Sequence, residues 1–160
     1  MRRLHPRRRF TAAALLVAAS AAAVTVSLPA GATGTGGIVT CDVVTGSQQG
    51  PPQLYSCSAS TGGAGSIEPY PFFVAGTHTG TIYWSLPSTT KHLTTVIRVK
   101  TRVVKKKSTP CGTGATELKV GGNVRSDSGG IVTVGGPVSA VLCQSHGTFE
   151  LLNNTAMTIG

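Results

Sequence analysis

Residues 93–104 read Leu93-Thr94-Thr95-Val96-Ile97-Arg98-Val99-Lys100-Thr101-Arg102-Val103-Val104. Leu93, Thr95, Ile97, Val99, Thr101 and Val103 fall on one side of a two-residue period, while Arg98, Lys100 and Arg102 fall on the other. Successive side chains of a β-strand point to opposite faces, whereas helical spacing would mix the two sets. The stretch therefore reads as a strand with one face turned to a core and a basic face turned to water.

The same grammar extends in both directions. Toward the N-terminus, Gly80–Leu86 (GTIYWSL) places Ile82 and Trp84 on one face and Tyr83 on the other. Phe72–Val74 begins a further short strand, and Thr61–Pro71 (TGGAGSIEPYP) reads as a loop. Ile38–Val44 and Gln53–Ser58 are two strands around the turn-rich GSQQGPP, each carrying a cysteine. Toward the C-terminus, Thr116–Val120 turns Leu118 and Val120 inward, and Gly121-Gly122 reads as a turn before a short Asn123–Arg125 segment. Ile131–Val134, Val138–Cys143, Thr148–Leu152 and Thr155–Ile159 complete about nine or ten short strands. β-branched runs punctuated by Gly, Pro, Ser and Asn, with no sustained helical spacing, predict an all-β domain. The expected architecture is a small β-sandwich, Ig-like or a related Greek-key barrel.

The N-terminus carries a different signal. MRRLHPRRR holds five arginines and no acid, Ala12–Leu28 is almost wholly apolar, and Ala30-Gly31-Ala32 is a small-residue site. These are the three parts of a secretory signal peptide, expected to be cut between Ala32 and Thr33. Arg7-Arg8-Arg9-Phe10 also fits a loose twin-arginine pattern, although the general secretory route is the plainer reading. Cleavage divides the chain into a signal, 1–32, and one secreted β-domain, 33–160, with no membrane span left. Losing five arginines lowers the formal charge from +9 to +4, so the precursor's basicity does not argue for nucleic-acid binding. TAMTIG at the C-terminus carries no anchor, and a released extracellular protein is expected.

Cys41, Cys57, Cys111 and Cys143 all lie in the mature domain. An even count in an exported chain reads as a disulfide framework. Gaps of this length fit zinc sites poorly, since those favour closely spaced pairs. Sequential pairing, Cys41–Cys57 and Cys111–Cys143, closes local hairpin-like units and is the expected connectivity.

Candidate chemistry is sparse. His78, His92 and His146 sit in polar, turn-like settings without ligand spacing, and read as solvated loop residues. Asp42, Glu68, Glu117, Asp127 and Glu150 are scattered. No nucleophile-elbow or zinc-protease motif is present. No catalytic residue, metal or cofactor is assigned, and a small secreted hydrolase ranks third among the functional readings. The basic strand is richer: Arg98, Lys100 and Arg102, followed by Lys105, Lys106 and Lys107, form a candidate surface for cell-wall polyanions or anionic partners. The plainer account is that these charges keep an exposed strand soluble and guard it from edge pairing. Aromatic residues that would stack bases are missing from the stretch, which argues against a specific nucleic-acid reader.

From Cys57 onward the order of features resembles short secreted actinobacterial proteins of unknown function. The matching pieces are Gly80-Thr81-Ile82-Tyr83-Trp84, Cys111-Gly112-Thr113-Gly114, Leu118-Lys119-Val120-Gly121, Val138-Ser139-Ala140-Val141-Leu142-Cys143 and the stretch from Leu152 to Ile159. The resemblance implies a disulfide-bonded β-fold and no known activity; the Lys105–Lys107 run departs from it. A weaker likeness is to the Streptomyces subtilisin inhibitors, which present a reactive site just after the third cysteine. Here that place holds Gly112-Thr113-Gly114-Ala115, with no large side chain for a protease pocket. The expectation is a non-catalytic extracellular β-module that docks cell-envelope or other anionic partners, with a secreted protease inhibitor as the alternative. Another secreted protein is an equally open partner. The residues select no specific role within that class.

Overall fold

Nine strands carry the regular structure: β1 (Val39–Ser47), β2 (Gln53–Cys57), β3 (Gly63–Glu68), β4 (Gly76–Ser85), β5 (Leu93–Val103), β6 (Thr116–Asp127), β7 (Pro137–Ser145), β8 (Thr148–Leu151) and β9 (Met157–Ile159). The computed structural model describes residues 36–58, 63–87, 90–104 and 110–160. The expected signal segment, residues 1–32, and Lys105–Lys107 lie outside them.

From β1 to β8 each strand pairs antiparallel with the next in sequence. β8 and β9 then share one position between β7 and β1. β8 pairs with the end of β1 through Thr45–Glu150 and Gly46–Phe149. β9 pairs with its beginning through Val39–Ile159 and Cys41–Met157. The sheet closes on itself as an eight-position up-and-down barrel. All-β architecture is as expected, but the Ig-like sandwich and the Greek-key connection are not. A sandwich leaves the outer strands of two sheets unpaired; here β8 and β9 take up the second edge of β1, and closure removes the edges.

An eight-position barrel has an interior just wide enough for side chains to fill. Leu54, Ile67, Ile82, Trp84, Ile97, Val99, Leu118, Val124, Leu142 and Met157 fill it. Large residues fit because small ones face them. Trp84 stands opposite Gly65 in the β3–β4 ladder, and Phe72 lies where a Cβ on Gly80 would project.

The two ends are sealed differently. At one, the β3–β4 connection folds Phe72 and Phe73 inward, both almost fully buried. Their rings meet edge to face at 5.1 Å, and Phe73 meets Phe149 at 5.3 Å. The expected strand at Phe72–Val74 is thus a plug. At the other end, Trp84 Nε1 donates to Thr95 Oγ1 at 2.7 Å, and Thr95 Oγ1 donates to Asp127 Oδ1. Asp127 Oδ2 accepts from the backbone N–H groups of Gly129 and Ile131, which folds the β6–β7 connection over the opening. That connection buries Ile131 and Val132. It contains only a single bridge, from Val132 to Gly37, where a strand was expected.

Two further differences share one cause. The expected loop at Thr61–Pro71 contains β3, and Gly121-Gly122 lies within β6 rather than at a turn. Glycine marks close approach as often as a turn: a Cβ on Gly122 would strike the backbone of Arg98 on β5.

Both disulfides have the expected pairing. Cys41 and Cys57 face each other across the β1–β2 ladder, and Cys111 is joined to Cys143 on β7.

Candidate functional site

β5 carries the decisive alternation into three dimensions. Thr95, Ile97, Val99 and Thr101 are buried, and Arg98, Lys100 and Arg102 are exposed. Consecutive outward positions lie roughly 6.8 Å apart, at about 3.4 Å per residue. The strand is bonded along its length to β4 on one side and to β6 on the other. It is an interior strand of the wall, so its cations guard no edge, and that part of the plainer account fails.

The ladder adds a residue that linear reading left out. Lys119 on β6 stands directly opposite Arg102. Alternation around the inward Leu118 and Val120 already turned Lys119 outward, but only the β5–β6 register places it beside the strand cations. Across the ladders Arg98 faces Thr79 and Asn123, and Lys100 faces Thr77 and Gly121, with no carboxylate in register. Lys119 Nζ lies 3.9 Å from Glu117, whose side chain is almost buried. Asp42 and Glu150 are exposed on β1 and β8, across the barrel. The wall is therefore electropositive, and Arg102–Lys119 is a like-charged cross-strand pair, an arrangement that opposes folding.

Between these strands a cavity of about 530 Å³ opens on the surface, lined by Lys100, Arg102 and Lys119 with Val103, Val104 and Gly121 among its other residues. A second, of about 440 Å³, lies between the Cys111–Ala115 segment and β1, β7 and β8, with Glu150 and the Cys111–Cys143 disulfide in its wall.

The remaining candidates do not converge. His92 is exposed in the β4–β5 connection. His146 occupies the β7–β8 turn, with Nδ1 2.9 Å from Ser145 Oγ. His78 corrects its expectation: it lies on β4, its ring stands 6.4 Å from Phe72, and its Nε2 is buried without a hydrogen-bond partner. Thr101 Oγ1, on the neighbouring strand, is also buried and unpartnered. Glu68 ends β3 and Glu117 lies near the start of β6, three strand positions apart. Among the described residues no three His, Cys, Asp or Glu side chains come together as a metal site. The segment after Cys111 turns rather than extends, with φ of 85° at Gly112 and 81° at Gly114. Two disulfides fit an oxidising compartment, and among the described residues no helix is long and apolar enough to cross a membrane.

Comparison with known proteins returns no match: no family model, no curated protein and no solved structure.

Proposed function

We propose that the protein is a secreted, non-catalytic barrel that docks onto a polyanion of the cell envelope through the outer wall of β5 and β6. The observation that carries this reading is the set Arg98, Lys100, Arg102 and Lys119 on strands whose edges are already paired. Charge on an edge strand has a protective explanation; charge at the middle of a closed wall does not. Like charges kept directly opposite break a local rule of sheet design, and such breaks concentrate at functional positions. A row of cations at roughly 7 Å intervals suits a partner with repeating negative charge better than a single small anion. Lys105, Lys106 and Lys107 continue the same run in sequence and belong to the proposal on that ground.

The test replaces Arg98, Lys100, Arg102 and Lys105–Lys107 with Ser or Gln and measures retention on purified cell walls and on an anionic matrix. Native protein is expected to bind and to elute as salt rises, because about 0.15 M salt shortens the screening length to about 8 Å. The substituted protein is expected to flow through while keeping its native circular dichroism. Native protein that is not retained at low salt would leave the charges a role in solubility alone.

A further inference from the structure

The wall also contains a bounded place. The cavity of about 530 Å³ between β5 and β6 falls in the size range of ligand sites. Two of its cations, Lys100 and Arg102, come from β5, and the third, Lys119, comes from β6. Its other named faces are aliphatic: Val103 is 43% exposed, and Val104 is half-buried beside it. Gly121 lies opposite Lys100 and points outward, and a Cβ built there would meet nothing within 4 Å. Bareness at this position is thus unforced, unlike that of Gly122 next to it, where the backbone of Arg98 leaves no room.

We infer that this cavity seats one repeat of a polyol-phosphate polymer, with the phosphodiester among Lys100, Arg102 and Lys119 and the carbon linker against Val103 and Val104. The inference rests on the polyanion reading and narrows it to a chemistry and a place. Three cations lining one concavity, of which Lys119 also lies 3.9 Å from Glu117, suit a phosphate, whose several oxygens accept from an Arg fork and two ammonium groups together. A nucleic acid shares the phosphodiester but carries flat bases, and these call for aromatic platforms. Across the ladders the flanking outward residues are Thr77, Thr79 and Ser139 instead. A lipid surface would call for apolar side chains grouped around the cations; of the large exposed ones, Ile38, Val43, Tyr55, Tyr70, Tyr83 and Val103, only Val103 lies on β5 or β6.

The experiment titrates labelled poly(glycerol phosphate) at low salt into native protein, Gly121→Leu, Lys119→Gln and the triple variant R98S/K100S/R102S. Single-stranded DNA of equal charge and phosphatidylglycerol vesicles serve as comparison ligands. Gly121→Leu removes no charge and fills the cavity; it is expected to weaken polymer binding tenfold or more. Lys119→Gln is expected to weaken it at least threefold, and it reads the site even if Gly121→Leu folds poorly. The triple variant is expected not to bind. Native-like binding by both Gly121→Leu and Lys119→Gln, with loss in the triple variant, overturns the bounded site and leaves the wall reading standing. Absence of binding by native protein overturns both. DNA or vesicles bound as tightly as the polymer, and equally weakened by Gly121→Leu, overturns the choice of occupant.

Discussion

The β4–β5–β6 wall and the seam where the barrel closes are built on different terms. On the wall the strands run ten, eleven and twelve residues, and their ladders are nearly unbroken. At the seam one strand position is split between β8, four residues long, and β9, three. The two strands flanking that split, β7 and β1, are the ones that carry Cys143 and Cys41. Each link ties a strand that flanks the split to a neighbour on its other side, β1 to β2 and β7 to the segment before β6; where pairing is long, the outer face carries a row of charge. The functional candidate lies on the wall that supports itself.

The largest effect should come from the link that holds β1, the strand beside the seam. Cys41→Ser with Cys57→Ser releases a link spanning 16 residues of sequence. On the chain-entropy account it should lower unfolding free energy by about 3 kcal/mol, measured by urea denaturation. Because Cys41 also faces Met157 on β9, amide exchange is expected to rise first in β9 and at the start of β1. Equal acceleration on β5 and β6 would break the contrast between the two regions.

A middle-sized effect belongs to the wall's own end. Thr95 Oγ1 accepts from Trp84 and donates to Asp127 in a fully buried position. Thr95→Val keeps the shape and leaves the indole N–H and one carboxylate oxygen unmatched, at a cost of about 1–3 kcal/mol. Thr95→Ser should recover most of that loss. If Val and Ser behave alike, the hydroxyl is not what holds this end.

How much of this was legible in the sequence follows the same division. The wall strand announced itself: the period of Leu93–Val104 gave both faces along most of β5, Leu93–Val103, although Val103, expected on the core face, is exposed where the strand ends. Disulfide pairing was legible because each link closes a local unit. The seam was not, since whether β1 meets another edge or stays open depends on contacts between the two ends of the domain, and alternation is the same in a sandwich and a barrel. β3 was missed because Gly63-Ala64-Gly65-Ser66 lacks β-branched residues; Gly65 is there to admit Trp84. Gly121-Gly122 looked like a turn because close approach and chain reversal use the same residue. Of the site, Arg98, Lys100 and Arg102 were legible from alternation, while Lys119 and the cavity needed the register.

The smallest effect is the most diagnostic. Arg102 faces Lys119 in register, and Lys119 retains Glu117 whether or not Arg102 is present. Arg102→Gln therefore removes a like-charge opposition without stranding a partner. Exposed substitutions of this kind usually stay within about 0.5 kcal/mol, and relief of the opposed pair should place this one at or slightly above native stability. The urea midpoint is expected to hold or rise by a little, more visibly at low salt, where the repulsion is least screened. Binding to polyanion should fall in the same variant. A side chain whose removal leaves the fold as stable as before and weakens binding is kept for its partner, the pattern seen when activity and stability trade against each other. Loss of more than about 1 kcal/mol on Arg102→Gln, with binding unchanged, would instead make Arg102 part of what holds the wall, and the basic face would lose its strongest claim to function.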